Sequence, residues 1–259
     1  MSVVRPLWIL SRESFAVLKR DRVFAPALVM GLLVAGFAAL ASQWSVEDFR
    51  KILFDVGLFG LQATGGLVAL VWGTKLVADS RQEGSLEVQL AAPVPRPVWL
   101  LGKFVGLAVC LALLGALLLA VWQGMMLLAG YGPLRPPELL AFGLMGVGWL
   151  VLAALALFFA SMARQGVALF ATLCAWVTGL AAAPVAGALG VETSALARRI
   201  VGTLARYWDL QQFNYADRVL DPVLPPLGDL GARFAYGGLL TLMLLTLACL
   251  VFSRRDVVG

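Results

Sequence analysis

The stretch DSRQEGSLEVQLAAPVPRPVWLLGK, from Asp79 to Lys103, is a polar segment between two long apolar parts of the chain. Ser80 and Glu83 have the spacing of a capping box, in which each side chain satisfies a free backbone N–H of the first helical turn. Leu86 and Leu90 then lie four residues apart and share one helical face. The three prolines that follow end the helix, because proline lacks the donor and disfavours helical geometry before it. The stretch therefore predicts a short, surface-lying helix between two membrane spans.

The composition of the whole chain is that of a polytopic membrane protein. Of its 259 residues, 61% are hydrophobic and 14% are charged, against roughly half and a quarter in soluble proteins, and the mean hydropathy is +0.90. The net charge of +5 is modest, and the basic residues stand at the ends of apolar stretches. A nucleic-acid partner is therefore not expected, since it would require a clustered basic face.

Six apolar stretches are long enough to cross a bilayer, which requires roughly 20 residues in a helix. We predict a single transmembrane domain, 1–259, that is all-α and integral to the membrane. Its six spans are 23–41, 52–77, 99–129, 139–162, 167–189 and 234–252. The loop 79–97 carries the helix predicted above, and the segment 191–233 is expected to form short helices outside the cytoplasm, re-entrant or lateral to the bundle.

The first 22 residues interleave apolar and basic side chains, the latter including Arg5, Arg12 and Lys19. This pattern predicts an amphipathic helix that lies in the headgroup region on the basic side of the membrane. The residues 39–41, Ala-Leu-Ala, are also compatible with a signal-peptidase site at the end of span 1. The long charged leader and the many later spans favour an uncleaved anchor instead.

The distribution of Lys and Arg predicts the orientation, because cytoplasmic ends of spans carry the excess of these residues. The short loops on one side contain only Arg50, Lys51 and Arg135, and the basic residues of 191–233 are matched by acids. Both termini and the loop 79–97 are therefore expected on the cytoplasmic side of an inner (plasma) membrane. That side collects twelve basic residues: Arg5, Arg12, Lys19, Arg20, Arg22, Lys75, Arg81, Arg96, Lys103, Arg164, Arg254 and Arg255.

The sequence contains no recognisable catalytic or metal-binding set. Histidine is absent, which removes the commonest general base and metal ligand. Gly102 and Lys103 are followed by Phe104, where a phosphate-binding loop requires Ser or Thr. The three cysteines all lie in apolar stretches, as buried packing residues do. We therefore predict that the chain is not an enzyme and that it binds no cofactor itself.

A few polar residues lie within or at the ends of the spans. Lys75, Lys103 and Asp55 stand within a turn or two of span ends, where long side chains reach the interface. Gln62 and Gln123 lie deeper, where a polar group can mark a substrate path or hold helices together. Both interpretations of these two amides remain open, and both residues are candidates for a translocation path.

The stretch that opens this section resembles the cytoplasmic loop of ATP-binding-cassette type 2 (ABC-2, exporter-type) permeases. That loop reads approximately E-R-x-x-G-T-L-E-L-L-L-x-x-P-V-S-R-x-E-I-V-L-G-K. In register with it are Arg81, Gly84, Leu86, Glu87, Leu90, Pro93, Val94, Arg96, Leu101, Gly102 and Lys103. The resemblance implies that the loop docks on an ATPase subunit, although a charged face is often only solvated. The candidate coupling residues are Arg81, Glu83, Gly84, Leu86, Glu87, Leu90, Pro93, Gly102 and Lys103.

The resemblance also implies the partners. ATP and Mg²⁺ would be bound by a separate ABC ATPase, and a second permease copy, identical or related, would complete the complex. The chain would then couple ATP hydrolysis to export or to work on an extracytoplasmic partner. The alternative is an integral-membrane enzyme or a non-transporting scaffold, for which the sequence offers no converging catalytic groups. The substrate is not readable from the sequence.

Overall fold

The computed structural model describes residues 4–43, 49–82, 95–128, 130, 132–133, 135–188, 194–215, 219 and 226–254. Eight α-helices lie in these ranges, and every regular element in them is helical. In chain order they are α1 Val4–Lys19, α2 Phe24–Ser42, α3 Phe49–Gln82, α4 Arg96–Leu128, α5 Pro136–Met162, α6 Gln165–Ala188, α7 Ala195–Tyr207 and α8 Leu227–Arg254. A single 3-10 turn, Gln211–Phe213, lies between α7 and α8.

Six of the described helices, namely α2 to α6 and α8, are long and apolar enough to cross a membrane. The predicted all-α fold with six spans is therefore confirmed. α3 has 34 residues and α4 has 33, which corresponds to about 50 Å at 1.5 Å per residue. Both are longer than the hydrocarbon core of a bilayer, which is about 30 Å thick.

α5 is the central helix of the bundle, and about two thirds of its most apolar stretch is buried inside the protein. It packs against α3, α4, α6 and α8. The close approach of α3 depends on glycine: a Cβ on Gly65 would lie 2.1 Å from the Trp149 ring, and one on Gly73 would lie 2.6 Å from the Ala156 Cβ. Small residues at such contacts allow helix backbones to approach within a membrane. α2, by contrast, is mostly exposed.

Consecutive spanning helices alternate in direction, so α1, the end of α3, the start of α4 and the end of α8 lie on one side, which we call the α1 side. The opposite side, which we call the far side, carries α7 and the 3-10 turn between α6 and α8. The loop residues 83–94, where the short surface helix is predicted, lie outside the described residues. α3 ends at Gln82 before this loop, and α4 begins at Arg96 after it.

The segment 208–215 on the far side re-enters the bundle. The Trp208 indole N–H donates to the Ala175 carbonyl at 2.8 Å, about three and a half turns before the end of α6. Phe213 is fully buried in a gap that Gly148 of α5 and Gly237 of α8 leave open. These glycines lie about three turns inside their helices. The part that re-enters is this segment with its 3-10 turn, whereas α7 packs against α6 with most of its side chains exposed.

Candidate functional site

The helix α1 packs on α4 near the start of α4, on the α1 side. The contact is close because two α4 residues are glycines. A Cβ on Gly102 would lie 2.7 Å from the Leu10 Cβ, and one on Gly106 would lie 2.6 Å from both the Ser11 carbonyl oxygen and the Ser14 Cβ. Glycines one turn apart therefore form a flat seat for α1.

Two ion pairs tie α1 and the α1–α2 connection to the spanning helices. Lys103 of α4 lies 3.7 Å from Glu13 of α1, and the Lys103 side chain is only 6% exposed. Lys75 of α3 pairs with Asp21, which is itself buried. Both lysines were expected to reach the interface from positions near span ends. Each is paired with an acid from the N-terminal segment, so a charge within a span has a fixed counter-charge.

A polar cavity of about 90 Å³ lies between these ion pairs. Its lining combines the charged groups of the N-terminal segment with those at the end of α3. Asp79 and Ser80 contribute from the last turns of α3, immediately before the loop 83–94. The other lining residues are Glu13, Val17, Leu18, Asp21, Lys75, Leu76 and Lys103. The cavity therefore places the end of α3, which precedes the loop, next to α1.

The start of α4, where the chain returns from the loop, is fixed to the end of α8. The Trp99 ring stacks on Phe252 with centroids 5.4 Å apart and planes inclined by 13°. Lys103 lies 5.4 Å from the centre of the same Trp99 ring, within range of a cation–π interaction. The Arg96 guanidinium also donates a long hydrogen bond, of 3.4 Å, to the Ser253 carbonyl oxygen. The two helix ends that flank the loop, the end of α3 and the start of α4, therefore both pack against other parts of the protein.

The sequence-predicted coupling residues are distributed across this region. Arg81 lies in the last turn of α3, and Glu83, Gly84, Leu86, Glu87, Leu90 and Pro93 lie outside the described residues. Gly102 and Lys103 lie in α4, and their described contacts include residues of α1. Their position suggests a role in holding α1, which the loop resemblance alone did not indicate.

Gln62 of α3 lies in the bundle interior and is 6% exposed. Its backbone carbonyl accepts a hydrogen bond of 3.1 Å from the Trp149 indole N–H. Its side-chain amide reaches Gly148, where Phe213 of the re-entrant segment also lies. The Oε1 atom of Gln62 is buried without a partner among the described residues. Gln62 therefore lies where α3, α5 and the re-entrant segment meet.

Gln123 has a different environment. Its side-chain N–H donates to the Gly132 carbonyl at 3.2 Å. Gly132 belongs to the far-side turn after α4 and has a positive φ of 84°, a backbone conformation that favours glycine. Gln123 thus fixes this turn to α4, and the contacts of Gln62 and Gln123 are with different parts of the bundle.

Several residues at the site were not identified from the sequence. Glu13, Asp21 and Phe252 make the contacts described above, yet all three lie far along the chain from the loop. Gly102 and Gly106 lie four residues apart in α4, a spacing that indicates close packing of another helix. Gly102 also matches the loop motif, and the motif alone does not indicate this contact. Across the described ranges, no cluster of three or more His, Cys, Asp or Glu side chains is arranged to hold a metal ion.

Comparison with known proteins agrees with this architecture. The sequence matches the profile of the ABC-2 family transporter proteins over residues 37–257, which includes most of the chain. A search of curated proteins found no match to the chain. The matched region contains α3, the loop and α4, and it ends just beyond α8. Together with its six membrane-spanning helices, this match shows that the chain belongs to the ABC-2 family of transporter proteins.

Proposed function

We propose that this transporter-family chain is the permease subunit of an ABC complex, and that a separate ATPase subunit docks on the loop 83–94. ATP and Mg²⁺ would be bound and hydrolysed in that partner. Closure of the ATPase would move the loop, and the movement would drive export or work on an extracytoplasmic partner. A second copy of the chain, or a related permease, would complete the complex.

This proposal is supported by the packing of the two helix ends that flank the loop. The end of α3 shares a polar cavity with α1, and the start of α4 stacks on the end of α8 through Trp99 and Phe252. Buried side chains are close-packed and transmit displacement instead of absorbing it. A push on the loop would therefore reach α1, α3, α4 and α8 together.

The proposal places the α1 side in the cytoplasm, in accordance with its excess of Lys and Arg. Single cysteines at Ser2, Ser85 and Ser253, in a chain whose three native cysteines are replaced, should react only with a reagent applied from the cytoplasm. A cysteine at Ser194, at the start of α7, should react only from outside. Labelling of position 85 from outside would contradict ATPase docking at this loop.

Docking is tested by co-purification of the ATPase with loop variants. Buried leucines contribute about 1.5–3 kcal/mol each, whereas exposed ion pairs contribute about 1 kcal/mol or less. The Leu86→Asp, Leu90→Asp double variant should therefore abolish ATPase recovery, while Glu87→Ala should weaken it in a salt-dependent way.

The matched control is the Leu196→Asp, Leu204→Asp double variant. These leucines have the same chemistry and lie on α7, exposed on the far side. ATPase recovery should remain at the wild-type level, and the permease yield reports whether each variant folds. Full recovery with the loop variant would show that the loop is only a solvated connector.

A further inference from the structure

One face of α1 is buried against protein. Leu10, Ser14 and Leu18 are buried, and the seat on α4 described above receives this face. The opposite face carries the basic residues, and the apolar side chains of Trp8, Ile9 and Val17 are exposed as well. An isolated amphipathic helix inserts an apolar side into the membrane; here one face is covered by protein, so contact of α1 with lipid involves the exposed surface.

The acidic and the basic residues of the N-terminal segment differ in their partners. Its two described acids, Glu13 and Asp21, pair with Lys103 and Lys75 of the spanning helices. The basic residues of the same segment are exposed and form none of the described salt bridges: Arg5, Arg12, Lys19, Arg20 and Arg22. The outward surface of α1 is therefore strongly positive.

Three of these cations form a regular row. Arg5, Arg12 and Lys19 are seven residues apart, or about two helical turns, and so lie along one face. The row is about 21 Å long at 1.5 Å per residue. Trp8 lies beside it and is 63% exposed. An exposed tryptophan next to cations is typical of the membrane–water interface.

The position of α1 along the bundle places this row at headgroup depth. Its seat on α4 coincides with the last charged residue of that helix, Lys103, and the remainder, Phe104 to Leu128, is uncharged. α2 begins shortly after α1, and its side chains facing outward are apolar, among them Val29, Met30, Leu32, Leu33, Phe37 and Leu40. α1 thus lies at the boundary between the charged and the uncharged surface of the bundle.

We propose that the outward face of α1, formed by Arg5, Trp8, Arg12 and Lys19, is a binding surface for anionic phospholipid headgroups. Guanidinium groups bind phosphate through paired N–H donors, and cations near an anionic leaflet each contribute to binding. A protein partner such as the ATPase is the competing occupant. The exposed tryptophan and the uncharged surface adjoining the row favour lipid.

The test measures lipid preference of the full chain. Purified protein is reconstituted with phosphatidylcholine alone or with equal parts of phosphatidylcholine and phosphatidylglycerol, re-extracted, and its retained lipids are counted by native mass spectrometry. Wild type should retain phosphatidylglycerol preferentially. The Arg5→Gln, Arg12→Gln, Lys19→Gln variant should lose more than about tenfold of that preference, given the per-charge contribution.

Two further variants make the result specific. Arg5→Lys with Arg12→Lys keeps the charges and should keep most of the preference. The variant Arg198→Gln, Arg199→Gln, Arg206→Gln removes three charges from exposed positions on α7 and should match wild type. Equal lipid preference in all variants would overturn the proposal. Loss of ATPase recovery by the α1 triple variant with unchanged lipid preference would also overturn it, and would identify the face as a protein-docking surface.

Discussion

The seat of α1 on α4 predicts that one added methyl group at Gly106 should separate the two helices. A Cβ there would lie 2.6 Å from the backbone carbonyl oxygen of Ser11, and a backbone atom cannot rotate away as a side chain can. Overpacking of this kind costs about 1–3 kcal/mol. The matched control is Gly124→Ala in the same helix, where no described atom lies within 4 Å of the added Cβ.

Both alanine variants gain the same helix propensity, up to about 1 kcal/mol, so this gain cancels in the comparison. Gly106→Ala should therefore be less stable than Gly124→Ala by about 1–3 kcal/mol. For a chain of this size that corresponds to a melting difference of about 2–10 °C. Limited trypsin digestion should also cleave after Arg12 and Lys19 faster in Gly106→Ala. Equal melting temperatures and equal cleavage rates would refute the packing argument.

Three other predictions concern the interior contacts. Phe213→Ala should lower the free energy of unfolding by about 3–5 kcal/mol, the cost of a large cavity, whereas Leu227→Ala, at an exposed position, should change it little; equal effects in thermal melts would contradict the buried position. A double-mutant cycle of Lys75→Met and Asp21→Asn should give a coupling energy of about 0.5–3 kcal/mol, and additive effects would show that the ion pair is unimportant. Burial raises the pKa of Asp209, although the Gln211 N–H and Arg233 oppose this. The protonated form is therefore more favourable in the folded state than in the unfolded chain, and this contribution to stability is lost as pH rises through the raised folded-state pKa. Asp209→Asn, which keeps the acceptor for the backbone N–H, should remove this pH dependence from the melting temperature, and an unchanged pH profile would exclude the effect.

The six spans were predictable from sequence because each is a continuous apolar run, and this signal depends on local composition alone. The family was predictable because the loop motif occupies one short segment. The partners of Lys75 and Lys103 were not predictable, since Asp21 and Glu13 lie on another helix and charge spacing along the chain does not indicate which helices meet. For the same reason the sequence showed an amphipathic N-terminal helix but not which of its faces is covered by protein.

The re-entrant course of the segment after α6 was only partly predictable. Leu196, Ile200 and Leu204 recur every four residues, a spacing typical of an amphipathic helix, and all three lie in α7. The insertion of Phe213 depends on Gly148 and Gly237, two glycines in separate spans. Their common role is visible only when α5 and α8 are placed side by side.

The stack of Trp99 on Phe252 has a consequence for biosynthesis. Trp99 is incorporated about 150 residues before its stacking partner, an interval of roughly 8–30 s at elongation rates of about 5–20 residues per second. During this interval the first turn of α4 is without its neighbour from α8. We expect the nascent chain to expose this tryptophan to the insertion machinery or to quality-control proteases. The arrival of the final span then completes the packed surface on the α1 side, where Trp99 and Phe252 meet.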